Sequence, residues 1–247
     1  MTYAAVFFDA GETLVHPHPS FPELFALVLR REGHDVSDGV VANKVRLIAE
    51  RFQRAARENE LWTTTAERSK AFWISVYETF LAELGLPADD ELLEILHAEF
   101  TDLANYSLFD DVLPVLERLR DESVMLGVVS NFEEWLERLL EELGVASFFD
   151  VQVISGIEGF EKPDPRIFRL ALDRAGVRAD QSAYVGDNPA FDVDPAARIG
   201  MFPVLIDRRD RFTGFATARI TSLADLPGAI GLSQNGAAHR GPDGSRP

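Results

Sequence analysis

The chain contains no cysteine, which excludes disulfides and thiolate metal sites. Lysine is nearly as scarce, with Lys44, Lys70 and Lys162 the only examples. Arginine carries the remaining positive charge. In total 24 basic residues stand against 41 acidic ones, a formal net charge of −17 at pH 7. That excess argues against a nucleic-acid backbone or an anionic membrane as partner. Solubility is its simplest meaning. No apolar run approaches the ~20 residues of a membrane span. The N-terminus lacks a basic stretch followed by an apolar core and a cleavage site, so we expect no secretory signal and a cytoplasmic protein. What is present is ordinary for a globular protein: 46% hydrophobic and 26% charged residues. The length of 247 residues suits one large domain or two modest ones.

The stretch around which the chain is organised is Tyr3-Ala-Ala-Val-Phe-Phe-Asp-Ala-Gly-Glu-Thr-Leu14. Ala4 to Phe8 reads as a strand buried on both faces of a parallel sheet. Asp9 follows where that strand should end, and ligands of open α/β sheets collect at the carboxyl ends of strands. Gly11 permits a tight turn and Thr13 adds a hydroxyl. The plain structural alternative is an Asp that caps a turn.

The character changes at Val15. His16 to Pro22 is a stiff, proline-rich connection. From Glu23 to Ala104 the pattern is helical without a clear strand. It predicts helices over Pro22 to Arg31, from Ser37 through Phe52, over Glu67 to Leu84 and over Asp90 to Leu103. Alternation of strands and helices resumes at Phe109. It predicts helices over Asp111 to Arg120, Glu133 to Leu143, Asp164 to Ala175, Asp194 to Ile199 and Leu223 to Ile230. The intervening strands are Met125 to Val129, Val151 to Ile154, Ser182 to Val185 and Phe202 to Ile206. This is an α/β chain with a parallel sheet, interrupted by an all-helical insert. The expected division is a core of residues 1–15 and 109–232, a helical segment 16–108, and a Gly-, Ser-, Pro- and Ala-rich tail, 233–247, that should be disordered.

Polar residues of a consistent kind recur at the strand ends. The first strand gives Asp9 and Thr13, and the second Ser130 and Asn131. The third region gives Lys162 within Glu161-Lys-Pro-Asp-Pro165, and the fourth Asp187, Asn188 and Asp192. Each has a bland reading as a cap, a solvated lysine or a turn. Their succession after separate apolar strands does not.

With these motifs the chain resembles the haloacid dehalogenase superfamily, in the subfamily with a helical cap inserted after the first motif. Gly127-Val-Val-Ser-Asn131, Glu161-Lys-Pro-Asp-Pro165 and Val185-Gly-Asp-Asn188 with Asp192 carry the resemblance, which spans residues 3 to 232. It implies a Rossmann-like core, a mobile cap and a phosphoaspartyl mechanism, in most relatives a Mg²⁺-dependent phosphatase reaction. Asp9 would be the nucleophile. Asp9, Asp187, Asp192 and the Gly11 carbonyl would hold Mg²⁺. Ser130, Asn131 and Lys162 would bind the phosphoryl group, Thr13 would orient the loop, and Asn188 would brace a metal ligand. The partner implied is a small phosphorylated molecule, and the protein a monomer or homodimer.

The chain departs from the family at one place. The usual Asp-x-Asp-Gly-Thr reads Asp9-Ala10-Gly11-Glu12-Thr13 here. The second Asp is the acid that protonates the leaving group, and Gly11 cannot replace it. Loss of positioned acid–base catalysis costs about 10²–10⁴-fold. Glu12 is the only nearby substitute, although consecutive extended side chains point opposite ways. Three alternatives follow: a dehalogenase, which lacks the acid but also the paired acidic metal site; a phosphonate-cleaving hydrolase, for which Lys44 and Lys70 are the only cap lysines; and a degenerate binding protein. In the helical segment, Trp62, Phe72, Trp73 and Tyr77 are pocket or core candidates. His16, His18, Arg30, Arg31 and Arg46 are cleft or surface candidates.

Overall fold

Four apolar residues, Ala5–Phe8, form β1, and all are fully buried. The computed structural model describes residues 3–214 and 217–232, so the expected disordered tail, 233–247, lies outside the described residues. After β1 comes the short β2 (Val15–Pro17), then α1 (Phe21–Arg31), α2 (Asp38–Ala42), α3 (Arg46–Glu58), α4 (Ala66–Glu83) and α5 (Asp90–Thr101). The chain returns through β3 (Tyr106–Leu108) to α6 (Val112–Asp121), β4 (Met125–Ser130), α7 (Leu136–Glu142) and β5 (Val151–Ile154). It continues with α8 (Ser155–Glu158), α9 (Pro165–Ala175), β6 (Ser182–Gly186), α10 (Asp194–Arg198), β7 (Phe202–Ile206), β8 (Ala218–Ile220) and α11 (Leu226–Ala229). Helix starts follow capping chemistry. Ser20, Thr65, Asp89 and Asp164 each accept a backbone N–H of the first turn.

Six strands form one parallel sheet in the order β5-β4-β1-β6-β7-β8. This is the α/β, Rossmann-like architecture expected. The strand order reverses at β1, and such a switch point opens a crevice at the carboxyl ends of the strands. Asp9, one residue beyond β1, stands in it. Alternation along β1 sends Val6 and Phe8 to one face, against α6 and α7, and Ala5 and Phe7 to the other, against α9 and α10. The helices from α1 to α5 enclose an apolar cluster of their own, built on Phe25, Phe72, Tyr77 and Phe80.

Three features differ from the sequence reading. Val15–Pro17 is not merely a stiff connection, because it pairs antiparallel with Tyr106–Leu108 and so joins the two passages into and out of the helical lobe. The helix expected from Ser37 to Phe52 is two helices. Lys44 and Val45 donate to the carbonyls three residues back, and that tightening breaks the run among Gly39, Asn43 and the β-branched valines. Helix α7 begins at Leu136, after a turn in which Leu136 and Glu137 also bond three residues back. Neither α8 nor β8 was expected.

Close packing is most demanding where β4 crosses β1. Gly127 lies beside Phe7, and a Cβ there would sit 2.6 Å from the Phe7 ring. Gly127→Ala should therefore overpack the sheet and destabilise the fold by about 1–3 kcal/mol, read as a lower urea midpoint.

Candidate active site

The site is built around the ammonium of Lys162, whose side chain is 2% exposed. It donates to Asp9 Oδ1 at 2.7 Å, Asp192 Oδ1 at 2.6 Å and Tyr184 OH at 3.0 Å. Tyr184 passes its own proton to the Val129 carbonyl, 2.7 Å away. Ser130 Oγ donates to the same Asp9 oxygen at 2.8 Å. Burial disfavours the charged lysine, but Asp192 and Asp9 outweigh that penalty and raise its pKa. The lysine main chain is fixed by Asn131. The Asn131 Nδ2 donates to the Lys162 carbonyl at 2.8 Å, and its Oδ1 accepts the Lys162 N–H at 2.7 Å.

Asp187 and Asp192 follow β6. Between them Pro189–Val193 forms a widened, π-type turn that Asn188 starts by accepting the N–H groups of Ala190 and Phe191. The Asn188 N–H donates to Asp192 Oδ2 at 2.9 Å. Gly186 makes room for this turn, since a Cβ there would lie 2.4 Å from the Asp192 carboxyl carbon. Asp9, Asp187 and Asp192 each bring a carboxylate oxygen within 4.8 Å of the others. Three acids thus face one ammonium. Burial, joined by the charge of Asp9 and opposed by Lys162, pushes Asp192 up to about 6. Burial and the carboxylates of Asp192, Asp9 and Glu12 push Asp187 well above the usual range. The Asp187 side chain keeps 23% exposure, so solvent moderates the burial contribution there.

Other expected residues stand differently. Thr13 is fully buried, its hydroxyl meets no partner, and it lies outside the cavity lining; its carbonyl accepts from Arg208 and its N–H donates to the Ala10 carbonyl. The Asn131 side chain is occupied at both ends by Lys162. The Phe132 N–H donates to Ser155 Oγ at 3.0 Å. Glu12 adopts φ 56°, a left-handed backbone that suits glycine, and its carboxylate pairs with Arg209 at 2.9 Å.

The sequence reading passed over several neighbours. The loop after β7 is shaped by the buried Asp207, which accepts the N–H groups of Arg211 and Phe212. It presents Arg209 to Glu12 and Arg211 to Asp187, the latter at 3.6 Å. A fifth apolar strand ending in Asp207-Arg-Arg-Asp-Arg211 carried the same signal as the other four. Tyr184, a phenol in the middle of an apolar strand, required a buried partner. Glu161 reaches across to the helical lobe and accepts the N–H groups of Trp62 and Thr63 and the Thr63 hydroxyl.

A cavity of about 510 Å³ lies between the strand ends and the helical lobe. Asp9, Gly11, Glu12, Ser130, Asn131, Lys162, Asp187, Asn188 and Asp192 line one end, and Phe52, Trp62, Trp73 and Tyr77 the other. Phe72 is core instead, 1% exposed. His16 stacks on Phe109, and neither it nor His18 lines the cavity. Arg30, Arg31 and Arg46 pair with Asp38, Glu99 and Glu50, and Lys44 and Lys70 with Glu83 and Glu94, all away from the lining. Among the described residues no helix is long and apolar enough to cross a membrane.

Comparison with known proteins agrees with this architecture. The mouse haloacid dehalogenase-like hydrolase domain-containing protein 3 is 29% identical over 203 residues, covering 80% of this chain and 79% of that one. A phosphoserine phosphatase of Thermus thermophilus is 36% identical over 134 residues, 54% of this chain and 53% of its own. In structure, the magnesium-bound HAD-hydrolase YfnB of Bacillus subtilis superposes with a TM-score of 0.75 at 17% identity, covering 94% of this chain and 100% of that one, a likeness of fold. The family model for haloacid dehalogenase-like hydrolases matches residues 3–200. With that match over most of its length, the chain belongs to the haloacid dehalogenase-like hydrolases.

Proposed function

We propose that this hydrolase is a Mg²⁺-dependent phosphatase that cleaves a small phosphomonoester through an aspartyl-phosphate on Asp9. The observation that carries the reading is the convergence of Lys162 and Ser130 on Asp9 Oδ1 beside the acidic pair Asp187 and Asp192. A carboxylate oxygen of Asp9 attacks phosphorus, and the bond to the ester oxygen breaks, so that the leaving group departs with the electron pair as an alkoxide or phenolate and takes a proton from solvent. Water then attacks the same phosphorus, gives up a proton to solvent, and the phosphorus–Asp9 oxygen bond breaks, releasing inorganic phosphate and restoring Asp9. Lys162 and Ser130 orient Asp9 and balance the charge that gathers on the phosphoryl oxygens. The Asn131 side chain acts through Lys162, by fixing its main chain. The similarity to the phosphoserine phosphatase, over about half of each chain, supports phosphate-ester chemistry. The paired acids favour it over alkyl-halide cleavage, and the outward ion pairs of Lys44 and Lys70 speak against an imine-forming phosphonate hydrolase. We place the reaction in the cytoplasm. The helical segment 16–108 serves as a cap that excludes water from the reacting centre, moving about the β2/β3 pair.

The donor set fits the cation. Three carboxylates within reach of one another, with the buried Lys162 ammonium on Asp9 and Asp192 and Arg211 beside Asp187, form an all-oxygen site. Asp9, Asp187 and Asp192 would hold Mg²⁺, with the Gly11 carbonyl beside them. Bound there, the ion supplies Lewis-acid neutralisation of the phosphoryl group. A pH dependence follows. Asp192 is raised from its ordinary carboxylate value to about 6, so the folded protein binds more protons than the unfolded chain between those limits. Without metal, these acids cost stability as pH rises through that window, and a cation reverses the cost. The Mg²⁺-induced rise in Tm should therefore be larger at pH 7.5 than at pH 5, and Asp187→Asn should shrink it at the higher pH. An increment independent of pH and unaffected by Asp187→Asn would sink the metal assignment.

The missing acid makes a second prediction. Without a donor at position 11, the enzyme should favour aryl phosphates, whose phenolates leave unprotonated, over alkyl phosphates. Gly11 can accept the acid. Its backbone is not left-handed, and a Cβ there meets only Phe132 Cε2, at an ordinary 3.9 Å. Gly11→Asp should raise kcat on alkyl esters by up to ~10²-fold and on aryl esters far less. If it folds, binds Mg²⁺ and gains nothing, Glu12→Gln tests the neighbour. A large loss on alkyl esters would identify Glu12 as the working acid.

A further inference from the structure

The far end of the cavity differs from its phosphate end. Its wall is aromatic, formed by Phe52, Trp73, Tyr77, Phe100, Tyr106 and Trp135. Polar side chains also reach this lining; several of them already hold partners, while the ring nitrogens of Trp62 and Trp135 are buried without one. Ser69 Oγ donates to Glu133 at 2.7 Å, Thr101 Oγ1 to the His97 carbonyl at 2.9 Å and Tyr106 OH to the Phe100 carbonyl at 2.9 Å. Thr63 Oγ1 donates to Glu161 at 2.6 Å. His97 keeps its Nε2 buried without a partner, and burial lowers its pKa, so it adds no cation.

The cations are committed too. Among the described residues, Lys162, Arg209 and Arg211 are the only lysines and arginines lining the cavity, and they pair with Asp9 and Asp192, Glu12 and Asp187 respectively. The aromatic end holds Glu133 instead. A carboxylated body would bring its charge beside Glu133 with no cation to meet it. A neutral ring system loses nothing there and gains apolar burial and ring contacts.

We propose that the group esterified to phosphate is a neutral aromatic body seated in this chamber, so that the substrate class is an aromatic phosphomonoester and not a carboxylated one. This rests on the phosphomonoesterase reading and deepens it. The absent acid at Gly11 agrees independently, because a phenolic leaving group needs no proton.

The test must separate the chamber from leaving-group chemistry. Benzyl and 2-naphthylmethyl phosphates leave as alkoxides, as hexose 6-phosphates and phosphoserine do. Phosphate release by the Mg²⁺-loaded protein should give kcat/KM about 10- to 100-fold higher for the two arylmethyl esters, carried by KM. Trp73→Ala should raise KM for the naphthylmethyl ester by about 10-fold and collapse its advantage over the hexose ester. Should that variant not fold, Ile48→Gln, on the half-buried wall of α3, should reduce the same ratio. A hexose phosphate or phosphoserine that matches or exceeds the arylmethyl esters overturns the proposal. A binding arm needs no turnover: benzylphosphonate should bind at least about 10-fold tighter than 2-hydroxyethylphosphonate by calorimetry. If neither these esters nor 4-nitrophenyl phosphate, whose phenolate leaves unprotonated, is hydrolysed, the phosphatase reading fails. The phosphonate comparison then decides the chamber alone, and equal affinities refute it.

Discussion

A buried ammonium sets the terms for the strand ends. Lys162 is almost fully enclosed, and an isolated charge in that position would cost several kcal/mol. It is tolerable only because Asp9, Asp192 and Tyr184 arrive at one point, and they come from β1, the turn after β6, and β6 itself. That requirement binds the sheet order to the chemistry. Parallel pairing of β1 with β6 brings Tyr184 and Asp9 together, and the widened turn after Gly186 swings Asp192 back over the strand end. Without Lys162, the buried Asp9 and Asp192 carboxylates would face each other with no ammonium between them. Without either carboxylate, the lysine would lose one of the two charges that offset its desolvation.

Much of this was readable in the sequence. Strands buried on both faces are short apolar runs, and the residue that breaks each run marks a carboxyl end. Asp9, Ser130, Asp187 and Asp192 were found that way, and the structure brings them to one crevice. What could not be read depends on tertiary partners. Nothing local shows that the Asn131 side chain would turn to the main chain of Lys162, or that Thr13 would be sealed away from the cavity. Glu161 looks like a solvated acid beside a lysine, yet it is 2% exposed because Trp62 and Thr63 come from a hundred residues away to meet it. Trp62, Phe72, Trp73 and Tyr77 share helical-type spacing, and only three-dimensional placement separates Phe72, in the core, from the three that reach the cavity. The helix read from Ser37 to Phe52 had the right apolar face but missed Lys44 and Val45, whose bonding tightens the turn.

The charge of the chain is distributed with similar economy. Most of its ion pairs lie on exposed surface, where each contributes little. The pairs that matter sit on the cavity rim, where Arg209 and Arg211 answer acids that the fold has crowded together. Asp207 is the silent member of that group. It touches no cavity, but by holding two backbone N–H groups and the Arg219 guanidinium it gives the arginine loop its form.

The pairing of Val15–Pro17 with Tyr106–Leu108 has a consequence for the history of the fold. Because the outgoing and returning chains lie side by side, the sheet experiences everything between Pro17 and Tyr106 as it would a hairpin loop. Its ends are closed whatever its length, and the entropy of closure grows only slowly with the residues enclosed. A lineage could lengthen, shorten or exchange the intervening helices, and with them the walls of the cavity, without moving the strand ends and turns that carry Asp9, Lys162 and Asp192.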